Sequence, residues 1–495
     1  MPGDARSAGA LRLSDILVAR EFVSERDIGQ ALDAQARHGG RIGSHLVRLG
    51  LLDEQQLQSI IEETPVMPRS VAETGLSRRT LLNLVLKQLR FGSCEIVRDL
   101  VAKTHLSQHV IQEIMDEAVG QRLVYVSGAE TVGVVRYLRY GLSEQGRDAA
   151  GEALEQSGYL GPAPVSFEAY KAQLQKQRLV NERISLAKLE KAFAGLIVPP
   201  DMVRRITPAV SSGRTILLYG PPGNGKTSIG SRVADAYRDP VFVPFAVEVE
   251  GQIIKVYDRN IHRAYAPAAA AAAAAAGAQE ATPSLHMETF DARWMYCRRP
   301  VAMAGGEMTL DMLELQWDAA AKCYDAPLHM KALNGVFLID DFGRQRCSPT
   351  DLLNRWIVPL ESRIDYLRLN TGNTIEIPFD ELVLFSTNLA PADLMDPAFL
   401  RRIPYKIEVQ GPTDAEYRQI FRQVARSFGL SVAEDVLDLI IGRITGEGRY
   451  ALASFQPRFI CEQASEVCRC FELPPVVTAA IAAGALENLY VGLQQ

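Results

Sequence analysis

Cysteine, tryptophan and excess basic charge are all scarce in this sequence. Seven cysteines are spread over 495 residues, with no Cys-x-x-Cys pair. Neither a disulfide framework nor a zinc site is expected, and a reducing compartment is. Cys468 and Cys470 read as one side of a helix. The net charge of −6 excludes a globally basic nucleic-acid binder and leaves only a local basic patch open. No apolar stretch approaches the roughly 20 residues that a membrane helix needs. The longest uniform run is the nine alanines Ala268–Ala276, and the opening MPGDARSAGALRLSD lacks the apolar core of a signal peptide. The expectation is a cytoplasmic protein with no membrane span. What is present is a hydrophobic share of 47%, enough for ordinary globular cores. The length suggests about three or four domains at roughly 100–200 residues each.

The first 66 residues contain two similar halves. RLSDILVAREFVSERDIGQALDAQ (12–35) and RIGSHLVRLGLLDEQQLQSIIEET (41–64) are equally long and separated by ARHGG. In each, apolar residues recur at helical spacing, and a capped second helix begins near Ser24 or Asp53. This segment resembles the N-terminal domain of type II secretion and type IV pilus assembly ATPases. The resemblance implies a helical docking module and, in some members, cyclic di-GMP as a ligand. Ser14, Glu21 and Thr64 depart from the motif at two glycines and a closing glutamine.

Residues 75–160 read as three helices (77–90, 95–103, 107–119), two strands (122–127, 135–142) and a closing helix (143–157). The order resembles a winged-helix domain. The third helix, SQHVIQEIMDEAV, holds Glu113, Asp116 and Glu117 and no Lys or Arg. DNA phosphates would repel it, which favours protein contact over DNA reading, although Arg136, Arg139 and Arg147 leave a basic wing open. Residues 161–195 read as a polar helical linker with a solvated face.

The chemistry lies beyond residue 195. A short apolar strand, TILLY, runs into Gly220-Pro221-Pro222-Gly223-Asn224-Gly225-Lys226-Thr227, and Ser228 follows in a helix. This is G-x-x-x-x-G-K-T in a strand–loop–helix setting. Its amides and helix N-terminus cradle phosphates, Lys226 reaches the β- and γ-phosphates, and Thr227 ligates magnesium. Gly335–Asp341 is an apolar run ending in two carboxylates: Asp340 to hold magnesium with Thr227, and Asp341 to orient the attacking water. Asp341-Phe342-Gly343 spells a kinase motif, but no H-R-D catalytic loop accompanies it. Another apolar strand, 382–386, ends at Asn388, whose amide is placed to hold the same water. Arg401 and Arg402 follow in DPAFLRRI, and Arg458 opens a later helix in QPRF.

Taken together, residues 196–495 resemble the AAA+ ATPases. The match runs from Walker A (GPPGNGKT) and Walker B (FLIDD) through sensor 1 (Asn388) and the arginine-finger region (Arg401, Arg402) to sensor 2 (Arg458). Most of that family places glutamate where this chain has Asp341. The hairpin-like IDYLRLNTGNTIEIPFD just before the sensor 1 strand resembles that of a MoxR-like, hairpin-bearing clade, in which it projects toward the central pore. Met303–Gly306 is a candidate substrate loop, and the alanine run reads as a surface insertion. Ile197 and Val198 are expected against the adenine.

The expected fold class is multidomain α/β. It combines a P-loop AAA+ core of parallel sheet and flanking helices (196–410), a helical lid (411–495), the N-terminal helical repeat (1–66), a winged-helix-like domain (75–160) and the linker (161–195). The resemblance implies an ATPase using ATP and Mg2+. It implies a ring, most simply a hexamer, that remodels a protein client in pilus or secretion assembly. The alternatives are a DNA-linked ATPase or transcriptional regulator acting through the winged helix, and a low-turnover nucleotide-sensing scaffold.

Overall fold

A computed structural model describes residues 13–132, 135–265, 290–395, 397–446 and 450–490. The alanine run and the Arg136 side chain lie outside the described residues.

The centre is a five-stranded, all-parallel sheet. Its strands, in chain order Ile216–Tyr219, Val301–Ala304, Val336–Ile339, Leu382–Thr387 and Tyr405–Glu408, lie side by side in the order fifth, first, fourth, third, second. The two central runs, VFLI and LVLFST, are buried along their whole length. Continuous apolar strands are what a parallel sheet covered on both faces demands. One face packs against the helices Pro200–Ser211 and Lys226–Val233. The other packs around Trp356 of the helix Pro349–Ser362, with Phe337, Phe379 and Phe385. Gly230 permits close helix–sheet contact, since a side chain there would press on Leu338 and Leu384.

A second sheet is built mostly from the chain on either side of the second core strand, between the first and the third. Ala246–Val249 and Gln252–Lys255 form a hairpin, extended by Cys323–Asp325 and Gln316–Asp318. Its other edge is Val165–Ser166, drawn from the segment expected to be a linker. That expectation is corrected. The helix Phe167–Lys176 buries Tyr170, Gln173 and Leu174. Gln177 donates to the Phe242 carbonyl at 2.9 Å and to Asn334 Oδ1 at 3.0 Å, and accepts from the Phe242 N–H at 3.0 Å. Glutamines that looked solvated in sequence are buried because they satisfy backbone groups there.

The N-terminal repeat forms four helices, Leu13–Ala19, Glu25–His38, Ile42–Arg48 and Glu54–Glu63, with capping boxes at Ser24 and Asp53. Ile16, Leu17, Leu46 and Ile60 share one core cluster with Phe242, Trp294 and Tyr296 of the body. Glu21 and Gly50, at matching places in the two halves, both adopt left-handed backbone, φ 59° and 68°. The first half therefore carries a side chain at a turn that suits glycine, and the Glu21 carboxylate accepts from Arg238 at 3.0 Å.

Residues 78–156 follow the expected order of three helices, two antiparallel strands and a helix. The acidic third helix, Gln108–Gly120, buries Ile111, Ile114 and Met115. Arg78 bonds Glu113 at 2.5 Å and Glu117 at 3.1 Å. Arg139 pairs with Glu95, and Arg147 donates to the Leu142 carbonyl at 3.0 Å.

The hairpin expected before the strand Leu382–Thr387 is present, with one face packed and the other exposed. Ile364–Arg368 and Thr374–Pro378 pair across Gly372. Leu367, Leu369, Ile375 and Ile377 are buried in the core cluster that holds the N-terminal helices. At the tip, Asn373 bonds Glu250 at 2.6 Å. Alternating apolar residues gave this hairpin one face to bury, and the second sheet covers it.

Candidate functional site

The loop Gly220–Gly225 leaves the first core strand and turns into the helix Lys226–Val233. Gly220, Gly223 and Gly225 take φ of 136°, 77° and 81°, a region L side chains avoid. The glycine spacing is thus a backbone requirement. The Lys226 ammonium is buried and donates to the Gly220 and Pro221 carbonyls, both at 2.8 Å. Burial lowers its pKa, opposed in part by Asp341 and Asp340. The ammonium thus sits within the loop that would receive the phosphates. Pro222 and Ser228 are exposed at the loop and at the first turn of the helix.

Two parallel-strand ends bring the remaining groups to this loop. Thr227 Oγ1 lies 2.9 Å from both carboxylate oxygens of Asp340. A hydroxyl and a carboxylate converging in this way suit Mg2+, which prefers oxygen donors and shares its shell with water and phosphate. Among the described residues no group of three or more His, Cys, Asp or Glu is placed to hold a metal. Next to Thr227 and Asp340, the Asn388 amide donates to Asp341 Oδ1 at 2.9 Å. Lys226, Thr227, Asp340, Asp341 and Asn388 form one cluster.

Beside the loop lies a pocket shared with the helical bundle. Ile197, Val198 and Met202 line it with Asn224 and Ile229 of the phosphate loop and its helix, and with Glu416 and Ile420 of the bundle. The bundle reaches the loop directly. Phe455 N–H donates to the Gly223 carbonyl at 2.9 Å, and Ser454 N–H to Asn224 Oδ1 at 3.3 Å. A methyl group on Gly223 would collide with the Phe455 ring. The sequence reading missed Ser454 and Phe455. Their only signal was proximity to the QPRF segment, because each contributes a backbone N–H, which carries no residue preference.

The arginines separate. Arg402 bonds Glu361 at 2.6 Å, while Arg401 is exposed. Arg458 lies exposed in the first turn of the helix Gln456–Cys470, with no ion pair to the phosphate loop among the described residues. Of the candidate substrate loop Met303–Gly306, Met303 and Ala304 belong to the second core strand, with Ala304 accepting from the Asp340 N–H at 2.8 Å, while Met303 and Gly306 are exposed.

Away from this site, a polar cavity of about 360 Å³ lies between the N-terminal helices and the body, lined by Arg20, Ser59, Glu63, Lys176, Asp239 and Arg299. Arg20 and Glu63 form an ion pair there.

A family described as a domain of unknown function, DUF8689, matches residues 413–488. That span coincides with the helical bundle Asp414–Leu489. No curated protein matches this sequence. Among solved structures, the chain is similar to the Thermotoga maritima RuvB Holliday junction branch migration motor, at 15% identity and a TM-score of 0.31, covering 62% of this chain and 70% of that one. It is also similar to NtrX from Brucella abortus, at 11% identity and a TM-score of 0.35, covering 70% of this chain and 61% of that one. Likenesses this distant leave the fold to be read from the chain's own topology, which is a mixed α/β arrangement with a P-loop at the end of a parallel strand. Among the described residues, no helix is long and apolar enough to cross a membrane.

Proposed function

We propose that this protein is an AAA+ ATPase that uses Mg-ATP hydrolysis to remodel a protein client. The observation that carries the reading is the convergence of Lys226, Thr227, Asp340, Asp341 and Asn388 at one phosphate-binding loop. The loop amides and Lys226 bind and orient the phosphates. Thr227 and Asp340 would hold Mg2+, which when bound would supply positive charge beside the phosphate oxygens. Asp341 and Asn388 hold the water in line with the γ-phosphorus. Water adds there as the bond to the β-phosphate oxygen breaks, giving ADP and phosphate. Adenine lies against Ile197 and Val198 under the helical lid, so nucleotide turnover moves the lid relative to the core.

Arg401, exposed near the sheet end, is the candidate to complete a neighbouring subunit's site, which implies a ring, most simply a hexamer. The N-terminal helices suggest a pilus or secretion component as client. The winged-helix-like segment supports protein contact rather than DNA, because Arg78 and the domain core occupy much of its acidic third helix.

Steady-state phosphate release by the wild type, by Lys226→Ala and by Asp341→Asn tests the reading. Activity in the wild type and its loss in both variants, with ATP binding kept by Asp341→Asn alone, is the expected pattern. An inactive wild type that binds ATP normally would leave only the nucleotide-sensing scaffold.

A further inference from the structure

The turn after the Asp340 strand contains a side chain that the hydrolytic reading leaves without a task. Asp341 has φ 48° and Gly343 has φ 104°, so the chain makes two left-handed steps within three residues. Gln345 closes this turn with its amide. Its Oε1 accepts from the Gly343 N–H at 2.8 Å. Its Nε2 donates to the Asp340 carbonyl at 2.9 Å and to the Asp341 carbonyl at 3.2 Å. On the opposite side, Phe342 N–H donates to the Ser386 carbonyl at 2.7 Å and the Thr387 hydroxyl to the Phe342 carbonyl at 2.8 Å. The backbone that carries Asp341 is therefore clamped between Gln345 and the strand that ends at Asn388.

The clamp matters because the carboxylate is short. An aspartate has one methylene fewer than a glutamate and one torsion fewer to correct its aim, so backbone position decides where its oxygens sit. The left-handed step sets that position, and an L-residue does not hold it without support. We propose that Gln345 is a positioning residue, holding the turn so that the Asp341 carboxylate meets the attacking water. The proposal rests on the hydrolytic reading above.

The test is steady-state and binding kinetics on Gln345→Met, which keeps the side-chain length but removes all three amide bonds. The expected result is a kcat lower by about 10- to 100-fold with the KM for ATP and the affinity for a non-hydrolysable ATP analogue unchanged within about twofold. Asp341→Glu in the same background should recover part of the lost rate, because the longer side chain depends less on the backbone. A purely structural role would lower melting temperature and ATP affinity along with the rate. A kcat equal to wild type, or a loss that Asp341→Glu does not relieve, overturns the proposal. If the wild type binds ATP but releases no phosphate, the hydrolytic reading falls and this one with it. An active wild type with an unaffected Gln345→Met variant removes only the role of Gln345.

Discussion

Asn388 and Asp341 are 47 residues apart in sequence and joined by a 2.9 Å hydrogen bond, from the Asn388 amide to a carboxylate oxygen. Two neighbouring parallel strands end at the same level and place both groups beside the phosphate loop. An amide that already orients the carboxylate has a second N–H and an oxygen left to hold a water beside it.

Asn388→Ala should therefore affect chemistry more than binding. Loss of one oriented polar group at a reacting centre costs on the order of 10²-fold in kcat, while the KM for ATP stays close to wild type. Phosphate release measured across ATP concentrations separates the two. A raised KM with kcat intact would assign Asn388 to nucleotide binding instead.

The two adjacent arginines should differ. Arg402 is tied to Glu361, whereas Arg401 is exposed. Arg401→Ala is expected to reduce hydrolysis by about 10³-fold, and Arg402→Ala by much less. Mixing Arg401→Ala with Asp341→Asn subunits should restore part of the activity, since each supplies the group the other lacks. No recovery on mixing, with assembly verified by light scattering, would count against action between subunits.

Gln177 should be a stability residue. Gln177→Leu leaves the Phe242 N–H and carbonyl without their partner and removes a bond to Asn334. A buried group left unpaired costs about 1–3 kcal/mol. Urea denaturation should show a loss of at least that size, and a change within error would mean that the site relaxes or admits water.

Acid should weaken the fold through His262. Burial pushes its pKa down to about 4. Its Nδ1 accepts from the Asp258 N–H at 2.8 Å, and its Nε2 lies 2.8 Å from the Lys331 carbonyl, so the neutral ring already uses both nitrogens. Between pH 6.5 and 4 the unfolded chain binds this proton and the folded chain does not. The contribution is fully present above about pH 6.5 and is lost as pH falls toward 4, by up to about 3 kcal/mol. Denaturation midpoints at pH 7, 6 and 5 should fall more steeply for the wild type than for His262→Gln. Equal slopes would remove His262 as the cause.

The phosphate loop, the paired acids and Asn388 were legible in the sequence because their chemistry fixes residue type and spacing together. Gly220, Gly223 and Gly225 must be glycine for the backbone to turn, and buried parallel strands must be continuously apolar. The helices of residues 78–156 were legible for a related reason, since period and caps are local properties. The segment 161–195 was misread because Gln173 and Gln177 look the same in sequence whether water or a buried carbonyl satisfies them.

The sequence by itself determined which groups are available for chemistry at the loop, and that a parallel strand presents each of them. Only the tertiary structure decided three further matters: that one face of the hairpin 364–378 is packed against the body, that Arg402 pairs with Glu361 while Arg401 stays exposed, and that the Phe455 and Ser454 N–H groups close on the phosphate loop, at the Gly223 carbonyl and the Asn224 side chain. The division has a physical reason. Local spacing and residue chemistry are written along the chain, but which surface covers an apolar face, and which partner satisfies a polar group, depends on segments far apart in sequence meeting in space.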